Sequence, residues 1–226
     1  VTSVEEKTFN SKPAIPFITS TLQMEANRKL GMGSKDTMRT AQRLYEEGLI
    51  TYMRTDSPNL SNEAINAARE AVVKLYGKDY LNPEVRQYQA KTKGAQEAHE
   101  AIRPTDVKFS ADQITGLDRD AQKLYDLIWK RFVACQMPPA EYLSTQMTVT
   151  AGDFELRAKG RVLKFDGHLV VNMPGQGGAD EDIELPDVVV GDVLALKKLD
   201  PSRHFTKPPQ RYSEAALVRE LEKRGI

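Results

Sequence analysis

The sequence predicts an α+β, multidomain chain in which a long helical segment is followed by a β-rich one. Three observations carry this. From about Ile15 to Gln136, apolar residues recur at three- and four-residue spacing between cap and stop signals. From Met147 to Leu196 they recur at every second position. Between these regimes, Met137-Pro138-Pro139 ends any helix, because proline lacks the amide donor and clashes with the preceding turn.

Thr19 or Ser20 is placed to cap a first helix that stops at Gly31. Ser34 is placed to cap a second, which carries Met38, Ala41, Leu44 and Tyr45 inward and stops at Gly48. Leu49-Ile50 then starts a short strand, and a helix, a glycine stop and a strand make half of a winged helix. Ser61 caps a third helix with Ala64, Ile65, Ala68, Val72 and Leu75 on one face and Gly77 beyond it. His99 falls on a predicted helix that opens near Gly94 and is ended by Pro104. Asp118 or Asp120 opens the longest helix, whose inward set is Ala121, Leu124, Tyr125, Ile128, Phe132 and Cys135. The period-two positions are Met147 and Val149, then Phe154, Leu156 and Ala158, then Val188 and Val190, then Leu194 and Leu196. Turns are expected at Gly152-Asp153 and Gly191-Asp192, and the acidic, Gly/Pro-rich stretch from Met173 to Pro186 reads as an exposed, mobile loop.

Composition bounds the function. At 226 residues, 40% hydrophobic and 28% charged, the chain is long enough for one large or two small cores. It has no apolar run near the roughly 20 residues a membrane helix needs and no signal-peptide pattern. One cysteine, Cys135, cannot form an internal disulfide or a zinc ribbon, which fits a reducing cytoplasm. The net charge is zero, but charge is segregated: Arg28 to Arg54 holds six basic and three acidic residues, whereas Ala179 to Asp192 holds six acids and no Lys or Arg. The basic stretch suits either a phosphate track or a solvated helix face. The chain begins at Val1 and stops at Gly225-Ile226 just after a helical pattern, which reads as a piece of something longer.

The basic stretch ends at Thr51-Tyr52-Met53-Arg54-Thr55-Asp56-Ser57, where a tyrosine leaves an apolar run two residues before an arginine. A phenol, with a reference pKa of about 10, is a poor nucleophile until a neighbouring cation or metal favours its anion. Arg54 could serve that need, and its planar fork also matches a phosphodiester. The alternative is a buried edge-strand tyrosine beside an arginine facing solvent. Asp56 and Ser57 read first as braces of the loop that holds Tyr52. Tyr45 and Phe17 could stack on bases, but both fall on core faces and read as packing.

The run from Gln42 to Ser57 resembles the active-site segment of bacterial type IA DNA topoisomerases. Three further blocks resemble that family in the same order: Pro16-Phe17-Ile18-Thr19-Ser20-Thr21-Leu22-Gln23, Ala95-Gln96-Glu97-Ala98-His99-Glu100-Ala101-Ile102-Arg103-Pro104, and His204-Phe205-Thr206-Lys207-Pro208-Pro209. The resemblance implies that Tyr52 attacks a backbone phosphate of single-stranded DNA to form a 5′-phosphotyrosyl link, with Arg54 on the scissile phosphate. It makes His99 a second-tier DNA-binding candidate near the site, whereas the sequence alone leaves Arg103 as either a solvent-facing helix end or a phosphate contact. Pro58 departs from the hydroxyl residue expected there and would stiffen the loop. The resemblance further implies an all-β arch of a toroid (1–12 and 139–210), interrupted by a helical, winged-helix-like domain bearing the tyrosine (13–138) and followed by the start of another helical domain (211–226). It implies Mg2+ bound by a toprim domain that has no counterpart here, since no Asp-x-Asp-x-Asp pattern follows a buried strand. The segment alone is expected to be inactive, and the full enzyme to be a cytoplasmic monomer that relaxes DNA without ATP. The main alternative is a non-catalytic single-stranded DNA-binding module, and a weaker one is a protein-interaction scaffold.

Overall fold

Pairing of distant segments, rather than chain order, organises the molecule. The computed structural model describes residues 1–88, 99–172 and 183–224. It divides into two compact units, Val1–Lys12 with Pro139–Gln210, and Pro13–Pro138 with Arg211–Ile226. The fold is α+β with one three-stranded antiparallel sheet.

In the sheet unit, β1 (Ser3–Ser11) pairs with β2 (Ala140–Ala151), and β2 with β3 (Phe154–Phe165). The β2–β3 turn has two residues, the first being Gly152 at φ 61°, the left-handed position such a turn requires there. Period-two residues meet across the ladders: Met147 faces Val4 and Ala158, and Val149 faces Leu156. Ile183 adds a single bridge, accepting the Arg161 amide at 2.8 Å. The strands expected around Val188–Val190 and Leu194–Leu196 do not form. Apart from the contacts of Val1 with Gly191 and Asp192, this stretch has no strand beside it among the described residues. Without a partner, alternation leaves Val190, Leu194 and Leu196 exposed. Residues 173–182 of the expected mobile loop lie outside the described residues.

The helical unit packs α1 (Thr19–Leu30), α2 (Ser34–Glu46) and α3 (Asn62–Tyr76) against α4 (Arg119–Ala134), while α5 (Glu214–Lys223) lies against α1. The α4 helix supplies the largest share of core residues, including Leu124, Tyr125, Ile128 and Phe132. Its cap is Asp118, which accepts the Ala121 amide at 2.8 Å; Ser61 caps α3 in the same way at 3.2 Å. Two expected caps are absent. Ile18 precedes α1, with the Thr21 hydroxyl accepting its amide at 2.9 Å, and Gly33 precedes α2, so that Ser34 is already helical. Leu75, expected inside, lies beyond the inward face of α3 and is exposed.

The expected helix around His99 is also absent over the residues described. Residues 99–104 are extended, and 94–98 lie outside the described residues. Pro104 disfavours helical geometry at Arg103. The strip finds other partners: Ile102 donates to the Phe17 carbonyl at 2.8 Å, and Thr51 to the Arg103 carbonyl at 2.9 Å. The predicted Leu49-Ile50 strand is accordingly a single bridge, Ile50 to Pro104.

Candidate functional site

The end of α2 aims the tyrosine segment. Gly48, at φ 73°, lets the Leu49 amide return to the Leu44 carbonyl at 2.9 Å, and Ile50 drops into the core. From there burial alternates strictly: Met53, Thr55 and Ser57 are buried, while Tyr52, Arg54 and Asp56 are exposed. An extended chain puts alternate side chains on one side, with Cα atoms about 7 Å apart, so Tyr52, Arg54 and Asp56 face solvent together. Tyr52 is 46% exposed, unlike the buried edge-strand tyrosine of the alternative reading. Among the described residues, Arg54 and Asp56 make no hydrogen bond or ion pair.

Hydroxyls hold the segment on both flanks. The Thr51 hydroxyl donates to the Ala101 carbonyl at 2.7 Å and accepts the Arg103 amide at 3.0 Å. On the other flank, the Thr19 hydroxyl lies 2.9 Å from the Met53 carbonyl and accepts the Thr55 amide at 2.9 Å. Ser57 donates its amide to the Thr55 hydroxyl at 3.1 Å, and its own hydroxyl accepts the Asn59 amide at 3.3 Å. Bracing is thus by Ser57, whereas Asp56 stands on the outer face.

Tyr45 is not packed in the core as its spacing suggests. In the last turn of α2 it is 42% exposed, and its ring meets that of Tyr52 edge-on, 5.3 Å between centroids and 66° between planes. Its position seven residues before Tyr52, just inside a glycine stop, is the only sequence signal for that contact. Phe17 is fully buried, with the Arg131 guanidinium 4.2 Å from its ring centroid.

The strip 99–104 runs beside Thr51, so the second candidate block lies next to the first. Its side chains are differently engaged. His99 is half-buried. Arg103 is neither solvent-facing nor on a helix. Its side chain is 17% exposed and donates to Glu100 at 2.7 Å and to the Pro104 carbonyl at 3.0 Å, while its Nε is buried without a partner. Glu100 also accepts the Ser61 amide at 2.7 Å. Burial would raise the Glu100 carboxyl, but the hydrogen bonds from Ser61 and Arg103 outweigh it and hold the group below its usual value.

The basic stretch is less open than its composition suggests. Arg28 and Lys29 pair with Glu25, Arg39 with Asp36, and Arg43 with Asp118, leaving Lys35 and Arg54 unpaired among the described residues. Burial pushes the Cys135 thiol up to about 12, so it is no nucleophile at neutral pH. Among the described residues no group of three or more His, Cys, Asp or Glu side chains is placed to hold a metal ion, and no helix is long and apolar enough to cross a membrane.

A family model described as DNA topoisomerase matches residues 1–226. The chain is 60% identical to DNA topoisomerase 1 of Pseudomonas aeruginosa over 222 residues, covering 98% of this chain and 25% of that one. It is 58% identical to DNA topoisomerase 1 of Escherichia coli over 222 residues, again 98% and 25%. The full-length topoisomerase I structure from Thermotoga maritima superposes with a TM-score of 0.78 at 32% identity, over 100% of this chain and 37% of that chain. The chain therefore spans about a quarter of the length of the curated relatives it matches.

Proposed function

The chain belongs to the DNA topoisomerase family, and from that premise we infer that it carries the strand-cleaving tyrosine of a type IA enzyme acting on single-stranded DNA. Tyr52 is the nucleophile. Its oxygen attacks a backbone phosphorus, the bond to the 3′ oxygen breaks, and the phosphate stays on the 5′ end as a phosphotyrosine. The phenol proton leaves to solvent and the departing 3′ oxygen takes one up. The new ester keeps the energy of the old one, so resealing after another strand has passed needs no ATP, and the net result is relaxation of negative supercoils. Arg54 holds the phosphate and stabilises the charge that grows on it during attack. His99 and Arg103 serve as outer DNA contacts, the latter once it is released from Glu100.

What supports this reading is an exposed phenol and an unengaged guanidinium, two residues apart on one side of a segment whose other side is anchored. In the same reading, residues 1–12 and 139–210 form part of the arch. Residues 13–138 are the tyrosine-bearing domain, with its winged-helix-like corner at α2, Gly48 and Ile50, and 211–226 begin a further helical domain. The intact enzyme is a cytoplasmic monomer. The Mg2+ that family membership implies does not fit the described residues, which offer no ligand cluster; its ligands belong to the toprim part of the enzyme, and no step above is routed through it. This segment by itself is inactive.

The test is complementation. This chain is mixed with a separately produced toprim-bearing part, magnesium and a labelled single strand, and a denaturant-stable adduct is sought. The expected result is an adduct on this chain that Tyr52→Phe abolishes while DNA binding persists. No adduct from folded, associated parts would favour a non-catalytic DNA-binding module instead.

A further inference from the structure

The block Pro16–Gln23 takes no part in the chemistry above, yet its first residues touch both segments of the site. The Phe17 carbonyl accepts the Ile102 amide at 2.8 Å, and two residues later the Thr19 amide donates to the Thr55 carbonyl at 2.9 Å. The Thr19 hydroxyl lies 2.9 Å from the Met53 carbonyl and 3.0 Å from that of Thr55, and accepts the Thr55 amide at 2.9 Å. One hydroxyl proton serves one carbonyl at a time while a lone pair takes the Thr55 N–H.

Two of these three partners belong to the peptide groups on either side of Arg54. The Met53 carbonyl belongs to the peptide before it and the Thr55 amide to the peptide after it, so one side chain fixes both planes that orient Arg54. Thr19 is the first residue of α1, past the cap position at Ile18, whose amide Thr21 accepts. The Thr19 oxygen therefore has no capping role in its own helix and reaches residues 34 to 36 positions along the chain.

We propose that Thr19 is a positioning residue for strand cleavage, a role that rests on the assignment of Tyr52 and Arg54 above. Its hydroxyl sets the direction of the Arg54 guanidinium and, through the extended backbone, that of the Tyr52 phenol. Thr19→Val keeps the shape and removes all three side-chain contacts; Thr19→Ser keeps the hydroxyl.

Both variants are made in a full-length relative carrying this chain in place of its matching segment. Single-turnover cleavage of a labelled single strand, strand affinity without divalent cation, and hydrogen exchange of the Thr55 amide are measured. A misplacement near 1 Å costs about 100-fold in rate. Thr19→Val is therefore expected to slow cleavage by about that factor with affinity little changed and with faster Thr55 exchange, and Thr19→Ser to recover most of the rate. Cleavage at the parent rate in folded Thr19→Val, or no recovery in folded Thr19→Ser, overturns the proposal. Should Thr19→Val melt below assay temperature, the Thr19→Ser result decides alone. Tyr52→Phe run in parallel keeps the two readings apart: an adduct that survives it defeats the assignment of the nucleophile, whereas its loss beside an unaffected Thr19→Val defeats only the positioning role.

Discussion

Arg54, proposed above to hold the phosphate, differs at the residue scale from the cations that serve the fold. Arg131 is half-buried over the Phe17 ring and paired with Glu25, and Arg43 reaches Asp118 at 2.6 Å. Arg54 has no such engagement among the described residues. Its removal should therefore cost activity and not stability. Arg54→Ala is expected to change unfolding free energy by no more than about 0.5 kcal/mol, as at a surface position, yet to slow adduct formation by about 100-fold or more, as loss of a donor to developing charge does. Thermal melts and adduct kinetics on the same preparation check both halves, and a large stability loss would mean that Arg54 is structural. Residues such as Ser61 and Asp118 were legible in the sequence because a cap acts within three positions of itself. The contacts of Thr19 and Tyr45 were not, since one depends on chain closure across more than thirty residues and the other on how a helix end meets the loop after it.

The same division holds between elements. Strands β2 and β3 were readable because their partners lie next to each other in sequence, joined by a two-residue turn. The Val188–Leu196 alternation looks identical on paper but has no neighbour to complete it. Residues 99–104 misled in the opposite direction: a pattern compatible with helix is extended because Phe17 and Thr51 supply backbone partners and Pro104 resists the turn. At the sheet edge, Gly160 marks where Ile183 comes in. A Cβ there would stand 2.6 Å from the Ile183 carbonyl and 2.8 Å from the Leu185 side chain. Gly160→Ala is expected to push residues 183–185 off β3 while leaving β1–β2–β3 paired. Hydrogen exchange should show the Arg161 amide losing protection while amides of the β1–β2 ladder keep theirs, and unchanged Arg161 protection would contradict this.

For the molecule as a whole, two carboxylates tie the stability of the helical unit to pH. Glu25 and Glu100 both lie in the helical unit, and in each burial alone would raise the carboxyl, while Arg28 and Lys29 in one case and Ser61 and Arg103 in the other pull it lower. A carboxyl lowered on folding stabilises the native state above its unfolded pKa, and that contribution is lost as pH falls through the folded value. The helical unit is thus expected to hold its stability from neutral pH to the ordinary carboxylate range near 4 and to lose it below. Helical circular dichroism during heating at successive pH values would trace this, and Glu100→Gln should flatten the decline; an equally steep decline in that variant would show that the Glu100 contacts carry none of it. The alternation of buried and exposed residues from Tyr52 to Ser57 has a further consequence, for chain length. With a repeat of two, adding or deleting one residue between Tyr52 and Ser57 would exchange inner for outer positions beyond the change, turning Arg54 toward the core or Thr55 away from Thr19. Substitutions on the outer face alter only what the segment does, whereas a one-residue change in length alters which residues are available to do it.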